Sequence, residues 1–532
     1  MKTKFKLVNL LMVCLALCSF FASCDNLDGT SGGGTDIPDP DALSKPGQKQ
    51  LNVVYFLPND VDAYANYQQR LTDVLKHVQE YYAEELSDYG FEYKKFGLQE
   101  DPESPGLVKI HLINAQETSA DYPYDGGGRK AIVEIDAYFA ENPDLKTSDH
   151  ILVFIPRYEV GVPFYGIGKY AFVRDYENGY DMSKWVDGVG FPSVDDKWIG
   201  GLIHELGHGL NLPHNRQKIS DNFTAMMGNG NSQYWSNPNG IKLTKASSLI
   251  LDNNQIFNTD PSIDFYTETP NLEIKKQRIY ADSENLYATI QFETDIPVKG
   301  MIMYNDPKTG PNDLNYNAIT WTSTNISINN NRKEISFTMP LSDIDEEYKQ
   351  YPFKLNISAV FENGERKTFS NHDYNYVDRK PDIDIDYYLY DDFDKSNWTV
   401  EASSEETGFQ GSTGLAVYLL DNDPATLWHS GYYSSFPHPH SVTVDMKEIK
   451  SLSGISILQN QQNANGMMKD FTIEVSTDNV SYTEIGAHTA TDDMLKQQFV
   501  FESATNARYF RITSLSSYNN RPVTRLAEVG AF

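Results

Sequence analysis

The chain has 532 residues, 40% of them hydrophobic, and a formal net charge of −30 at pH 7. That length is too great for one core, so we expect several domains, and the hydrophobic content excludes general disorder. The negative charge argues against nucleic acids and anionic lipid surfaces as partners, because both would repel the chain.

The first residues have the pattern of an export signal. Three lysines precede an apolar stretch, Leu7 to Phe21, that is too short to span a membrane. Phe21-Ala22-Ser23-Cys24 resembles the lipobox of bacterial lipoproteins. The resemblance implies a signal peptide over residues 1–23, a diacylated Cys24 and a place on a bacterial outer membrane or cell surface. The alternative is an ordinary secretory signal with a chance cysteine.

The cysteines restrict the chemistry of the mature chain. Cys14, Cys18 and Cys24 are the only three, and all lie in the signal or directly after it. The mature chain is therefore predicted to have no disulfide, and any metal site must use His and carboxylate ligands. Residues 24–48 are rich in Asp, Gly, Ser and Pro, which predicts a flexible tether.

Residues 49–265 alternate between strand and helix patterns. The apolar periods predict strands over 51–56, 107–112 and 151–155, helices over 61–86 and 130–140, and an edge strand within 160–173. Ser193 with Asp196 three residues later is a helix-start signal, so a third helix is predicted from about Val194 to Leu210.

This third helix carries the sequence His-Glu-x-x-His. His204 and His208 are four residues apart, so both imidazoles leave the same face of the helix, one turn apart. That spacing lets two nitrogens bind one zinc ion. Glu205, next to the first ligand, can act as general base toward a water that the zinc activates.

A third histidine follows after a turn. Asn211 tolerates a positive φ and Pro213 ends the helix, so the chain can return and bring His214 to the same ion. The stretch from His204 to His214 resembles the metzincin signature H-E-x-x-H-x-x-G-x-x-H, with Asn211 where the family usually has Gly. The resemblance implies an α/β zinc endopeptidase domain over residues 49–265.

Metzincins also have a methionine turn beneath the metal. Thr224-Ala225-Met226-Met227-Gly228 is the matching segment, with Met227 as the candidate and Met226 as the alternate. Some metzincins have a functional Tyr two residues after this Met. Asn229 stands there in this chain, and Tyr234 is a more distant candidate.

Two further segments precede the C-terminus. Residues 266–380 show alternating strand patterns separated by turn residues, typical of an immunoglobulin- or fibronectin-like β-sandwich, and we interpret this domain as a spacer. Residues 381–395 belong to an acidic, Tyr-rich run. We interpret it as a solvated linker, with calcium binding as the alternative.

Residues 396–532 resemble the coagulation factor 5/8 type C (discoidin) domain, a β-jelly-roll close to the family-32 carbohydrate-binding modules. The resemblance lies in the runs Leu420–Ser430, Val442–Met446, Phe471–Ser476 and Ala507–Ile512. It implies glycan binding and a structural Ca²⁺ near Asp421 and Asp423. The predicted glycan-binding residues are Tyr432, Tyr433, His438 and His440.

These segments together predict a lipid-anchored zinc endopeptidase for glycosylated, mucin-like extracellular proteins, with a C-terminal glycan-binding module. One alternative is a non-catalytic glycan-binding surface lipoprotein with a relic protease domain. The intact Glu205 argues against a relic. A glycosidase is a third reading, but no acid pair stands out for it and the His-Glu-x-x-His motif would have no use.

Overall fold

The computed structural model describes residues 42–532, apart from residues 157–160, 178, 195–196, 311–315, 330–331, 408–412 and 433–436. The predicted signal, Cys24 and most of the predicted tether therefore lie outside the described residues. From Leu43 onward the chain forms three domains on separate sheets. The predicted multidomain organisation is confirmed, and most of the regular structure is β-sheet. None of the described helices is long and apolar enough to cross a membrane.

The first domain is a six-stranded sheet with helices on both faces. Its elements are β1 Gln50–Leu57, α1 Tyr67–Ser87, β2 Gly97–Leu98, β3 Ile110–Asn114, α2 Gly127–Glu141, β4 Ile151–Pro156, β5 Tyr165–Ile167, β6 Tyr170–Asp175, α3 Trp198–Gly209, β7 Thr224–Ala225, β8 Ile241–Lys242 and α4 Lys245–Asp252.

Strand β1 lies inside this sheet. It is parallel to β2 and β3 on one side and to β4 on the other, β6 continues the parallel order, and β5 is antiparallel at the edge. Successive side chains of β1 point to opposite faces. Val53 and Tyr55 enter the core formed with α1, α3 and α4, whereas Val54 and Phe56 enter the core formed with α2. The sheet thereby supports α3 from below.

Two helices begin later than predicted. Helix α1 begins at Tyr67 rather than at residue 61, because Asn66 has a φ of 54°, a left-handed conformation that cannot continue a right-handed helix. Helix α3 begins at Trp198 rather than at Val194. The side chain of Val194 is 53% exposed, and the buried apolar face begins with Ile199. The other predicted helix and strands of this domain are observed with ends shifted by at most three residues.

The segment predicted as one edge strand forms a hairpin. Gly168 has a φ of 58° and turns the chain between β5 and β6. Strand β6 lies inside the sheet beside β4, so only the three residues of β5 lie at the edge. The prediction of a single strand over 160–173 is therefore wrong, although the edge position holds for β5.

The second domain is a β-sandwich. Its strands are β9 Leu272–Ala281, β10 Asn285–Thr294, β11 Val298–Pro307, β12 Ile319–Ser323, β13 Ser327–Asn329, β14 Arg332–Pro340, β15 Phe353–Phe361, β16 Arg366–Tyr374, β17 Tyr376–Val377, β18 Lys380–Pro381 and β19 Asp384–Tyr388. One sheet has the order β13-β14-β10-β9-β19 and the other β12-β11-β15-β16. Both sheets cover a single hydrophobic cluster.

The segment predicted as a linker is largely part of this sandwich. Strand β19 pairs antiparallel with β9 over five residues, Asp384 to Tyr388. After it, the carboxylate of Asp391 forms ion pairs with Lys275 and Arg332. The prediction of a solvated linker over 381–395 is therefore wrong, because the backbone of this segment completes the edge of a sheet.

The sandwich also shares a core with the first domain. Ile302, Tyr304, Ala318 and Val360 belong to the same hydrophobic cluster as α1, α3 and α4. A Cβ at Gly300 would lie 2.8 Å from a methyl carbon of the α4 side chain of Leu249, so the two domains approach closely here. The interpretation of this domain as a spacer is therefore wrong, because a spacer would leave these side chains in water.

The third domain is an eight-stranded sheet around its own core. Its strands are β20 Thr399–Ala402, β21 Thr413–Gly414, β22 Leu427–His429, β23 His440–Gln459, β24 Asp470–Ser476, β25 Thr483–Thr489, β26 Gln497–Ser514 and β27 Arg525–Ala531. The domain begins before the predicted residue 396. Phe393 N donates to Ala531 O at 2.8 Å, and the buried Lys395 forms an ion pair with Glu528.

The junction between the sandwich and the third domain is packed. Lys496 Nζ lies 3.2 Å from Glu273 Oε1, across the two domains. The rings of Tyr390 and Phe532 stack with centroids 5.0 Å apart and an interplanar angle of 4°. Gln498 exchanges two hydrogen bonds with the backbone of Tyr390. These contacts fix the third domain on the sandwich.

Candidate metal centre

The end of helix α3 explains how a third histidine reaches the first two. The helix ends at Gly209, and Leu212 N then donates to Gly207 O at 2.9 Å. Asn211 has a φ of 72°, the left-handed conformation that this type of helix end requires. Pro213 cannot donate a further helical hydrogen bond. The chain therefore turns back at the end of the helix and carries His214 toward the face of α3 that holds His204 and His208.

The three imidazoles converge through their Nε2 atoms. His208 Nε2 lies 3.1 Å from His204 Nε2 and 3.0 Å from His214 Nε2. His204 Nδ1 lies 2.8 Å from the carbonyl oxygen of Met226, and His208 Nδ1 lies 2.8 Å from that of Leu212. A carbonyl oxygen can only accept, so both Nδ1 atoms carry the proton and both Nε2 atoms present a lone pair.

This arrangement fits a divalent cation. Burial lowers the pKa of His204 to about 3 and also lowers the pKa of His208, so both rings are neutral at physiological pH. Neutral Nε2 atoms only 3.1 Å apart cannot hydrogen-bond to each other when both lack a proton. Tetrahedral nitrogen ligands of zinc at about 2.0–2.1 Å would be about 3.3 Å apart, close to the observed spacing. Among the described residues, no other group of three His, Cys, Asp or Glu side chains converges in this way.

Glu205 lies beside this group without belonging to it. Its carboxylate accepts a hydrogen bond from the backbone of Gly166 in edge strand β5. Burial raises the pKa of Glu205 to about 8. A dication bound by the neighbouring imidazoles would counter this shift, because positive charge favours the carboxylate. Glu205 is thus held between helix α3 and the edge of the sheet.

The methionine segment contacts the helix that carries His204 and His208. A Cβ at Gly207 would lie 2.6 Å from Met227 Sδ, so Met227 packs against α3 in the turn between His204 and His208. Met226 has a different part, because its carbonyl oxygen accepts the hydrogen bond from His204. Both methionines are fully buried. Met227, the first candidate from the sequence, is therefore the one whose side chain packs against α3.

Gly166 brings the edge strand against a histidine, and this gives a testable prediction. A Cβ at Gly166 would lie 2.2 Å from the Cβ of His208, so β5 or His208 would have to move. We expect Gly166→Ala to weaken zinc binding by about tenfold or more, measured by competition with a chelator. Gly161→Ala is the control, since its Cβ would have no neighbour closer than 3.9 Å. Equal zinc affinity of the two variants would contradict the prediction.

The left-handed Asn211 gives a second prediction. Its Nδ2 lies 3.4 Å from the hydroxyl of Tyr266, so the side chain adds one weak contact to a backbone conformation that glycine also adopts. We expect Asn211→Gly to change the free energy of unfolding by less than about 1 kcal/mol, and Asn211→Val to lower it by about 1–2 kcal/mol. Chemical denaturation measures both, and equal values for the two variants would show that φ is not decisive here.

The tyrosine near the histidines differs from the sequence candidate. Tyr234 is buried in the first domain, where its hydroxyl lies 3.0 Å from His77 Nε2. Tyr316 of the sandwich instead stacks on His214, with ring centroids 3.7 Å apart and an interplanar angle of 27°. Sequence reasoning missed Tyr316, because it comes 102 residues after His214 in another domain and no motif surrounds it.

The predicted glycan-binding residues are only partly accessible. Tyr432 is 59% exposed, while Tyr433 lies outside the described residues. The ring of His438 lies 3.1 Å from Thr524 Oγ1 and is partly buried. His440 is only 3% exposed, and its Nε2 lies 2.8 Å from Pro522 O. His440 is therefore a buried structural residue, and its prediction as a sugar contact is wrong.

The predicted calcium residues close a turn. Asp421 Oδ1 accepts a hydrogen bond from Asp423 N at 3.0 Å, and Asp423 Oδ1 accepts one from Ala425 N at 2.9 Å. The hydroxyl of Thr426 also donates to Asp421. These carboxylates do not converge with a third His, Cys, Asp or Glu in the described part of the chain. Asp421 also shares a hydrogen bond with the carboxyl of Glu528, so only the contacts of Asp423 are those of a turn residue alone.

Comparisons with known proteins cover the C-terminal domain. Residues 399–529 match the model of the F5/8 type C domain, so the predicted discoidin-like domain is confirmed. A galactose oxidase from Gibberella zeae is 27% identical over 142 residues, which are 26% of this chain and 20% of that protein. A sialidase from Micromonospora viridifaciens is 26% identical over 132 residues, 24% of this chain and 20% of that protein. The chain thus spans about a fifth of the length of these curated relatives.

Solved structures extend the comparison beyond this domain. Wild-type OgpA from Akkermansia muciniphila is 30% identical, with a TM-score of 0.58, over 66% of this chain and 98% of that chain. A catalytically inactive OgpA in complex with an O-glycopeptide substrate, glycodrosocin, is 29% identical with the same TM-score and coverage. The 66% exceeds what residues 1–42 and 272–532 make up together, so the similarity includes part of the first domain.

Proposed function

The chain belongs to the same family as OgpA from Akkermansia muciniphila, and from this premise we propose that it is a zinc-dependent endopeptidase for O-glycosylated proteins. The observation that carries the proposal is the convergence of three histidine Nε2 atoms beside the buried Glu205. The O-glycopeptide bound as substrate by OgpA supports the substrate class. The metzincin resemblance of residues 204–214 supports the reaction class.

Under this proposal the three histidines bind the metal and Glu205 transfers the proton. His204, His208 and His214 would hold the zinc through Nε2, and their Nδ1 hydrogen bonds to backbone carbonyls keep two of the rings oriented. When bound there, zinc supplies Lewis-acid polarisation of a carbonyl oxygen and lowers the pKa of water. Glu205 accepts the proton of the attacking water and then delivers it to the nitrogen of the leaving amine.

The edge of the sheet offers a place for the substrate backbone. Strand β5 pairs only with β6 among the described strands, which leaves its other edge open to an extended peptide. Gly166 of β5 contacts both Glu205 and His208, so a peptide added along this edge would pass next to the histidines. The exposed Tyr124 packs edge-on against Tyr165 at 5.5 Å and adds an aromatic wall there.

We further propose that the F5/8 type C domain binds a glycan and holds the enzyme near glycosylated protein. Among the predicted glycan-binding residues that the structure describes, Tyr432 is the exposed aromatic side chain, with its ring centroid 5.9 Å from that of His429. Weak binding at such a surface still raises the local substrate concentration.

Lipid anchoring through Cys24 would place both activities at the cell surface, and replacement of Cys24 by Ala should release the protein into the medium.

One experiment tests the reaction and the substrate together. The purified protein is incubated with an O-glycosylated peptide and with the same peptide without its glycan, and mass spectrometry identifies new termini. We expect cleavage of the glycosylated peptide that a chelator stops and zinc restores. Release of free sugar without new peptide termini would favour a glycosidase, and no change in either peptide would favour the binding-protein alternative.

A further inference from the structure

The sandwich domain reaches into the metal centre through one aromatic residue. Tyr316 lies between β11 and β12, and its ring covers one face of the His214 imidazole with centroids 3.7 Å apart. The interplanar angle of 27° makes this a stacked pair rather than an edge contact. The tyrosine is 40% exposed, so part of its side chain remains open to solvent.

The segment that carries Tyr316 is fixed to the segment that carries His214. Arg216 N donates to Ala318 O at 2.8 Å, and Arg216 forms a parallel β-bridge with Ile319. His214 and Tyr316 each stand two residues before one of these hydrogen-bonded positions. Ala318 is buried in the core of the first domain. The stack therefore follows from backbone pairing between the two domains and does not depend on a loose loop.

Side-chain contacts reinforce this pairing. The Arg216 guanidinium contacts the hydroxyl of Tyr348 and lies 5.1 Å from the centroid of its ring. The same hydroxyl donates to Asn317 Oδ1 at 3.1 Å. Asn317 directly follows Tyr316, so this contact holds the residue next to the stacked ring. Each of these groups belongs to the sandwich except Arg216, which comes two residues after a predicted metal ligand.

Tyr316 also faces the catalytic side of the site. Burial, and then the charges of Glu205 and Tyr124, raise the pKa of Tyr316, which shows that Glu205 lies within electrostatic reach of its hydroxyl. Hydrogen bonds from Nδ1 to a backbone carbonyl orient the rings of His204, through Met226, and of His208, through Leu212. The stack with Tyr316 is a further orienting contact of the same kind, made to the ring of His214.

We propose that the sandwich domain completes the metal centre, with Tyr316 as a positioning residue that holds the His214 ring so that its Nε2 meets those of His204 and His208. This inference rests on the proposed metal site. It makes the first two domains one catalytic unit, since removal of the sandwich would leave His214 without this contact. Orienting contacts around a metal ligand typically change metal affinity by 10- to 100-fold.

Three variants separate the aromatic face from the bulk and the hydroxyl. Tyr316→Phe keeps the stack, Tyr316→Leu keeps much of the bulk without an aromatic face, and Tyr316→Ala removes both. Tyr280→Ala is the matched control, because Tyr280 is also 40% exposed in the sandwich and also stacks on an aromatic ring, that of Tyr287. All variants are made in the full chain.

Two measurements report on the metal itself. We expect Tyr316→Leu and Tyr316→Ala to weaken zinc binding by about tenfold and to alter the visible absorption bands of the cobalt(II)-substituted protein. Tyr316→Phe and Tyr280→Ala should match the wild type in both. With O-glycopeptide, the Leu and Ala variants should lose kcat with little change in KM. Wild-type cobalt spectra and zinc affinity in the Ala and Leu variants would overturn the proposal.

The metal measurements also separate this proposal from the proposed function. If the wild type binds zinc but cleaves no peptide, the proposed function fails, and altered cobalt bands in the Ala and Leu variants would still support the role of Tyr316. If the wild type binds neither zinc nor cobalt, both proposals are overturned. If every Tyr316 variant, including Phe, loses zinc, the hydroxyl rather than the stack is responsible and the positioning role is wrong.

Discussion

Glu205→Gln is expected to lower kcat for O-glycopeptide cleavage by about 10³-fold or more while leaving zinc bound. Glutamine has nearly the same shape, and its side-chain oxygen can still accept the hydrogen bond from Gly166. It cannot accept the proton of the attacking water, and so the first step of hydrolysis loses its base. Glu205 is not one of the three converging nitrogen ligands, which is why metal content should stay near one zinc per chain.

A second buried glutamate provides the control for this variant. Glu85 on α1 is 4% exposed, and burial raises its pKa to about 8, as for Glu205. Glu85→Gln keeps an oxygen for the hydrogen bond from Leu243 N and should leave kcat unchanged. The measurement is the initial rate of cleavage together with the zinc content of each variant. Cleavage by Glu205→Gln at a rate close to that of Glu85→Gln would remove Glu205 from the mechanism.

The local part of the candidate site could be predicted from sequence. The i, i+4 spacing of His204 and His208 determines a shared helix face wherever the helix packs. Asn211 and Pro213 determine the turn, and the observed φ of 72° at Asn211 is what that turn requires. These features depend on neighbours in the chain, so no knowledge of the other domains was needed to place them.

The contribution of the sandwich domain to the site depends on tertiary packing, so it could not be predicted from neighbouring residues in the sequence. Alternating apolar residues predict strands, but they do not say which outer face meets another domain. One signal was present: Met301-Ile302-Met303-Tyr304 is a continuous apolar run, typical of a strand buried on both faces. Strand β11 is indeed buried nearly throughout its length. That run argues against a spacer, although it does not identify Tyr316.

The acidic segment shows how composition can mislead. Its Asp residues suggested a solvated linker. Three apolar residues alternate with these Asp residues, however, and their side chains pack against the hydrophobic core of the sandwich: Ile383, Ile385 and Tyr387. A period of two in a polar context is the pattern of an edge strand with one solvated face. The charges lie on the outer face, where ion pairs such as that of Asp384 with Arg278 form.

Above about pH 8, where Glu528 is ionised, Lys395→Met is expected to lower the stability of the C-terminal domain by about 3–5 kcal/mol, since it leaves one half of a buried ion pair. Lys395 is 7% exposed, and its Nζ contacts the carboxylate of Glu528 and the carbonyl oxygens of Leu419 and Val529. Methionine has a similar length but supplies no charge to these acceptors. Lys447→Met is the control, because the Lys447 side chain is 42% exposed and its partner Asp445 keeps Arg508, so the loss should be less than about 1 kcal/mol.

The pH dependence of Lys395→Met gives the sharper test. Burial raises the pKa of Glu528 from 4.5 to about 8, so this carboxyl favours the folded state fully below about pH 4.5 and loses that contribution as the pH rises through 8. Without Lys395 nothing opposes the effect of burial, so the stability of the variant should fall more steeply between about pH 5 and 9 than that of the wild type.

Adding Glu528→Gln should flatten this dependence and recover part of the loss. Denaturation curves at several pH values measure it, and parallel curves for Lys395→Met and the wild type would mean that the pair is not coupled. The same reasoning predicts that a fragment starting at residue 396, which lacks Lys395, is far less stable than one that starts before Phe393.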